Sequence, residues 1–179
     1  ADPLAAIRAT FAGSEEVVAH IVLRIITLAR LGERGAGFLV HGGSGTGKST
    51  LAAALALALL PLLPARVLHG REEGALEAAI EALELAQLPA SDDPTTVVAR
   101  LLLLDDVDDM APRTARSPEH GAHRVARLCA LLDGSLARAG ASIFVVGFCV
   151  EPAAVAPALC RAGRLHRQLL LRLPAPAER

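Results

Sequence analysis

At 179 residues, 53% of them hydrophobic and 21% charged, the chain is too apolar to stay disordered and long enough to bury the core of one domain. A formal net charge of -1 offers no large electropositive surface to a phosphate backbone, which argues against nucleic acid as the main partner. Three cysteines with no C-x-x-C pair indicate neither a disulfide framework nor a zinc knuckle and suit a reducing, cytoplasmic compartment, and no apolar run reaches the ~20 residues of a membrane-spanning helix.

In chain order, Ser14 is placed to cap a helix running to about Arg30, where Val17, Val18, Ile21, Ile25 and Leu28 form a broad apolar face. Gly32, Gly35 and Gly37 stop it, and Phe38 to Val40 reads as a short strand. Leu51 to Leu60 is an Ala/Leu core helix that Pro61 and Pro64 end. Ala65 to His69 is a second strand, and Ala75 to Gln87 alternates Leu76, Ile80 and Leu83 with glutamates as an amphipathic helix should. Val97 to Leu104 is a buried strand ending in Asp105-Asp106-Val107-Asp108-Asp109, and Ser117 caps a helix from about Glu119 to Arg138. Ser142 to Val150 and Gln168 to Leu173 complete a set of five strands. Strands alternating with helices predict a three-layer α/β/α sandwich around a five-stranded parallel sheet.

Between the first strand and the Ala/Leu helix, Gly42 to Thr50 reads Gly-Gly-Ser-Gly-Thr-Gly-Lys-Ser-Thr, with the spacing G-x-x-x-x-G-K-[ST]. This is a phosphate cradle. Gly42, Gly43, Ser44, Gly45, Thr46 and Gly47 let backbone amides converge on phosphates, Lys48 reaches the terminal ones, Ser49 offers a hydroxyl to Mg²⁺, and Thr50 completes the set of cofactor-binding residues. A flexible Gly/Ser linker is the competing reading, but linkers are not flanked by buried apolar elements on both sides. ATP with Mg²⁺ is the expected ligand pair.

Such a cradle needs a carboxylate on a neighbouring strand to hold the metal's water, and often a second to activate the attacking water. The run Leu101 to Leu104 delivers Asp105 to the carboxyl edge of the sheet, with Asp106 next to it. Asp108 and Asp109 read as a solvated turn. Asp106 stands where a Glu is usual, and one methylene less removes roughly 1.5 Å of reach, so slow turnover is expected. His120 and His123, three residues apart, read as solvated histidines because no third metal ligand is evident.

At these residues the chain resembles the AAA ATPases, in the group of valosin-containing protein, the N-ethylmaleimide-sensitive fusion ATPase and the peroxisome-biogenesis ATPases. Gly42 to Thr50 corresponds to Walker A, Leu101 to Asp106 to Walker B, Leu131 to Gly134 to a Leu-x-Asp-Gly turn, and Arg161 to Arg167 to the second region of homology. The resemblance implies that Arg164 and Arg167 are arginine fingers, which in the family reach the γ-phosphate bound to the next subunit of a hexameric ring. It also implies protein substrates or adaptors as partners, and the large ATPase subdomain of a longer chain, residues 1–179, without the small helical lid.

Two departures bear on activity. Where the family keeps a sensor Asn after the fourth strand, this chain has Cys149-Val150, and the Val150 side chain cannot hydrogen-bond. The loop after the second strand, His69 to Gly74, lacks the aromatic or apolar grip of polypeptide-threading members. The reading is therefore a Mg-ATP-binding module of a ring that remodels or extracts proteins, with weak hydrolysis, cytoplasmic or at an organelle surface. The alternatives are an ATP-holding structural domain, such as the first ATPase domain of a peroxisome-biogenesis ATPase, and a small-molecule P-loop kinase, for which no arginine-bearing lid or acceptor pocket is found.

Overall fold

The computed structural model describes residues 2–87, 100–113, 118–137 and 143–173. Helices α1 (Pro3–Arg8) and α2 (Glu15–Arg30) precede strand β1 (Gly37–His41), and α3 (Lys48–Leu59), β2 (Ala65–His69), α4 (Ala75–Gln87) and β3 (Arg100–Asp105) follow. A single-turn α5 (Val107–Met110), the long α6 (Pro118–Ala137), β4 (Ile143–Cys149), a 3-10 turn at Pro152–Ala154 and β5 (Arg167–Leu170) complete the order. The strands lie side by side as β2-β3-β4-β1-β5, and every strand pairing is parallel.

A parallel sheet buried on both faces explains the unbroken apolar runs. Along β3, Leu102 and Leu104 face one layer with α4, α5 and α6, whereas Leu101 and Leu103 face the other with α1, α2 and α3. The same period of two divides Leu39 from Phe38 and Val40 on β1. Each fully buried leucine contributes about 1.5–3 kcal/mol of burial free energy, so these strands stay in register: a slip of one residue would exchange the two faces. In α3, Leu51, Leu55 and Leu59 are wholly buried, one turn apart, while Leu57 faces solvent.

The five predicted strands are all present, with shifted ends. β5 begins one residue earlier than expected and stops at Leu170, and Val97 to Ala99, Ser117, Arg138 and Ser142 lie outside the described residues. Ser14 corrects the capping expectation. It sits in the left-handed region at φ 46° and makes no side-chain cap for α2; its hydroxyl accepts from the Arg172 amide at 3.0 Å and donates to the Arg172 carbonyl at 3.3 Å. That exchange ties the start of α2 to the chain leaving β5. Short α1 carries no apolar period, and its visible signals are Asp2, whose carboxylate caps the Leu4 amide at 3.0 Å, and Pro3 at the first helical position.

Candidate functional site

The loop Gly42–Gly47 leaves β1 at the carboxyl edge of the sheet and turns directly into α3. Its first amide, at Gly42, donates to the Cys149 carbonyl at the end of β4 (3.3 Å), which fixes the loop over the middle of the sheet. Gly47 has φ +87° and caps α3, a conformation that a side chain would strain; an added Cβ would also lie 2.9 Å from the Phe11 ring. Thr46 is buried and its hydroxyl donates to the Gly43 carbonyl at 3.0 Å. Lys48, only 8% exposed, folds back so that Nζ donates to the carbonyls of Gly42 (2.8 Å) and Gly43 (2.9 Å). Gly43, Ser44, Gly45, Ser49 and Thr50 are exposed around it. The cradle therefore presents a buried ammonium, an open loop and the positive end of a 12-residue helix to the same space.

Two strands away, Asp105 closes β3. Its side chain is 2% exposed, and the carboxylate accepts from the Asp106 amide at 3.2 Å and lies 3.5 Å from Nδ1 of His69, its register partner on β2. A carboxylate at that depth calls for compensating positive charge. Cys149, at the end of the intervening β4, feels both Lys48 and Asp108; burial, with the Asp108 charge second, pushes its thiol up to about 12. Gly70 makes the approach of β2 and β3 possible here: its amide donates to the Asp105 carbonyl at 2.7 Å, and an added Cβ would lie 2.1 Å from the Asp106 carbonyl oxygen. We expect Gly70→Ala to destabilise the fold by about 1–3 kcal/mol, as overpacking against backbone does, and to weaken metal-dependent nucleotide binding. Urea unfolding and a nucleotide titration with and without Mg²⁺ check both effects.

Asp106 has left-handed backbone, φ 52° and ψ 53°. Arg71, from the loop after β2, donates Nε to Asp106 Oδ2 at 3.1 Å and to Asp109 Oδ2 at 3.0 Å. Burial, followed by the Asp105 charge, raises the Asp106 carboxyl above the usual range, and Arg71 opposes that rise. Asp108, expected in a solvated turn, is instead built into the site. Its Oδ2 accepts from the Val150 amide at 3.0 Å, whereas its Oδ1 is buried without a partner among the described residues.

Arg164 and Arg167 stand apart from this cluster. Arg167 opens β5 opposite Phe38, four residues before Gly42, so it lies about 13 Å along the strand from the start of the cradle of its own chain. Its guanidinium is 6.0 Å from the Phe38 ring centroid. Arg164 forms a two-pronged pair with Asp133 of α6, at 2.7 Å through both Nε and Nη2, and donates Nη1 to the Ala158 carbonyl at 2.6 Å. That pair lowers the Asp133 carboxyl. Neither arginine is placed to serve its own cradle.

Several participants carried no sequence signal. Arg71 lay in the loop after the second strand, whose sequence marks only the lack of an aromatic or apolar grip, and Asp108 could not be told from its neighbours. Phe11, Ala12 and Gly13, with Ile7 and Val18, line a cavity of about 210 Å³ beside Gly47, and nothing in their spacing marks them. His123 is exposed on α6, the side chain of His120 lies outside the described residues, and no group of three or more His, Cys, Asp or Glu able to hold a metal occurs among the described residues.

The chain matches the family model described as the ATPase family associated with various cellular activities (AAA) over residues 38–173. It is 34% identical over 148 residues to the human ATPase family gene 2 protein homolog B, covering 80% of this chain and 18% of that protein. It is 31% identical to the Schizosaccharomyces pombe ATPase histone chaperone abo1, covering 77% of this chain and 12% of the relative. Identity to the peroxisomal ATPase PEX6 of Rattus norvegicus is also 31%, covering 78% and 14%. The chain thus spans less than a fifth of the length of these relatives.

Proposed function

The chain belongs to the AAA family of ATPases, and from that premise we propose that it is a Mg-ATP-binding module of an oligomeric ring, a hexamer, that remodels or extracts proteins while hydrolysing ATP slowly. The observation that carries this reading is the presence of a buried ammonium, Lys48, and a buried carboxylate, Asp105, both at the carboxyl edge of the sheet, after β1 and at the end of β3 with β4 between those strands. Gly42 to Gly47 and Thr50 surround the phosphates, Lys48 binds the terminal ones, and the cavity beside Phe11 takes the base. Mg²⁺ fits the residues present: the Ser49 hydroxyl and the Asp105 carboxylate are hard oxygen donors, and the buried carboxylate gains the charge it lacks. Bound there, the ion would offset charge on the transferring phosphoryl group.

Slow hydrolysis follows from what surrounds the attacking water's place. Asp106 is short and held by Arg71, and the Val150 side chain supplies no hydrogen bond while its amide is taken by Asp108. Arg164 and Arg167, facing away from their own cradle, act on the next subunit. Among the described residues no helix is long and apolar enough to cross a membrane, and we place the module in the cytoplasm or at an organelle surface, with protein substrates or adaptors as partners.

The same two features favour a second reading, in which ATP is held as structural glue and never turned over. Measurement of bound nucleotide and phosphate release from the purified chain, alone and as part of the longer protein, separates the readings. Retained ATP with slow, Mg²⁺-dependent release supports the first, retained ATP without release the second, and purification free of nucleotide with no affinity for ATP removes both.

A further inference from the structure

Away from the cradle, a pocket of about 240 Å³ opens between α2, the segment 33–37 and the turn before β5. Arginine side chains crowd it: Arg24, Arg34, Arg164 and Arg167 line it with His166, and Glu33 is the one acid among its described lining residues. Arg164 is neutralised by Asp133, which leaves three guanidinium groups against one carboxylate. On a chain of net charge -1, that is a local concentration of positive charge. Arg167 is held over the Phe38 ring, and His20 packs edge-on against the same ring at 6.2 Å. Arg24 lies one helical turn beyond His20 on the same side of α2.

We propose that this pocket binds an oxyanion of the phosphate class, gripped by Arg24 and Arg34 with Arg167 oriented by Phe38. Guanidinium forks match phosphate oxygens two at a time, and charge-assisted bonds of this kind are about twice as strong as neutral ones. A concave wall also screens such bonds less than an open surface does. Neither Arg24 nor Arg34 belongs to the motifs that brought Arg164 and Arg167 forward, so the pocket makes them new binding residues. The phosphate can come from a nucleotide bound to a neighbouring copy, in which case the inference rests on the ring reading above, or from a free polyphosphate, in which case it does not.

Calorimetric titration of the Lys48→Ala chain with inorganic tripolyphosphate tests the pocket with the cradle silenced. One saturable site is expected, weakening as salt rises, and addition of Arg24→Ala and Arg34→Ala together should lower its affinity by roughly tenfold or more. Both side chains are exposed, so their removal leaves the core untouched. Absence of a saturable site overturns the proposal, as does an affinity unchanged by the double substitution. An equal loss from Arg66→Ala, an exposed arginine on β2 at the far edge of the sheet, also overturns it, because the binding would then be diffuse. With Lys48 restored, ATP turnover per chain is followed against chain concentration. A rise that the double variant abolishes, at unchanged ATP affinity, identifies the neighbour's nucleotide as the source; unchanged turnover with tripolyphosphate binding lost identifies a free ligand.

Discussion

Lys48→Ala should weaken ATP binding by at least ~100-fold, about 2.7 kcal/mol, while leaving the chain folded. The ammonium is buried at the loop and now bonds two carbonyls, those of Gly42 and Gly43; hydrogen bonds to a charged group are worth about 1.5–3 kcal/mol each, and the phosphates of ATP would draw the same group. Its loss costs the free protein little. Gly43 is exposed, so water replaces the donor at its carbonyl. The Gly42 carbonyl loses a buried partner at a cost of about 1–3 kcal/mol, which relief from burying an ammonium largely offsets. A titration with a fluorescent ATP analogue reads the binding, and thermal unfolding without nucleotide reads the fold. A chain that still binds ATP at near wild-type affinity, with its transition intact, would remove Lys48 from the phosphate site.

The cradle and the five strands were accessible from residues because both are local signals, whereas the order of the strands in the sheet was not. Glycines at fixed offsets, an apolar run on either side and a lysine at the helix start act over nine residues, and a parallel sheet leaves continuous apolar runs such as Leu101 to Leu104. What governs Asp106 is not local. Arg71 is 35 positions away, and only the pairing of β2 with β3, which sets His69 opposite Asp105, brings its loop over that carboxylate. Asp108 differs from Asp109 only in direction: one turns toward the Val150 amide and the other toward Arg71. Ser14 failed as a cap for a similar reason, since the amide and carbonyl of Arg172, 158 positions away, outcompete the helix end for its hydroxyl.

The Arg71 contact leads to the second large effect. Substituting Asp106→Glu alone should raise phosphate release only a fewfold, because Arg71 can still hold the longer carboxylate and because Glu tolerates the left-handed backbone at this position less well than Asp, by about 1 kcal/mol. Arg71→Ala alone frees a carboxylate that remains too short. The two together should raise release by roughly 100-fold, within the range a positioned general base contributes, and by more than the product of the single effects, as groups in direct contact do. A pH profile separates this from a structural role. Arg71 lowers the Asp106 carboxyl against the upward push of burial and Asp105, so in Arg71→Ala the base form is lost at higher pH and the acid limb of the release profile should move up. Release unchanged in all three variants with ATP still bound, or an acid limb that stays in place, would dismiss Asp106 as the group that activates water.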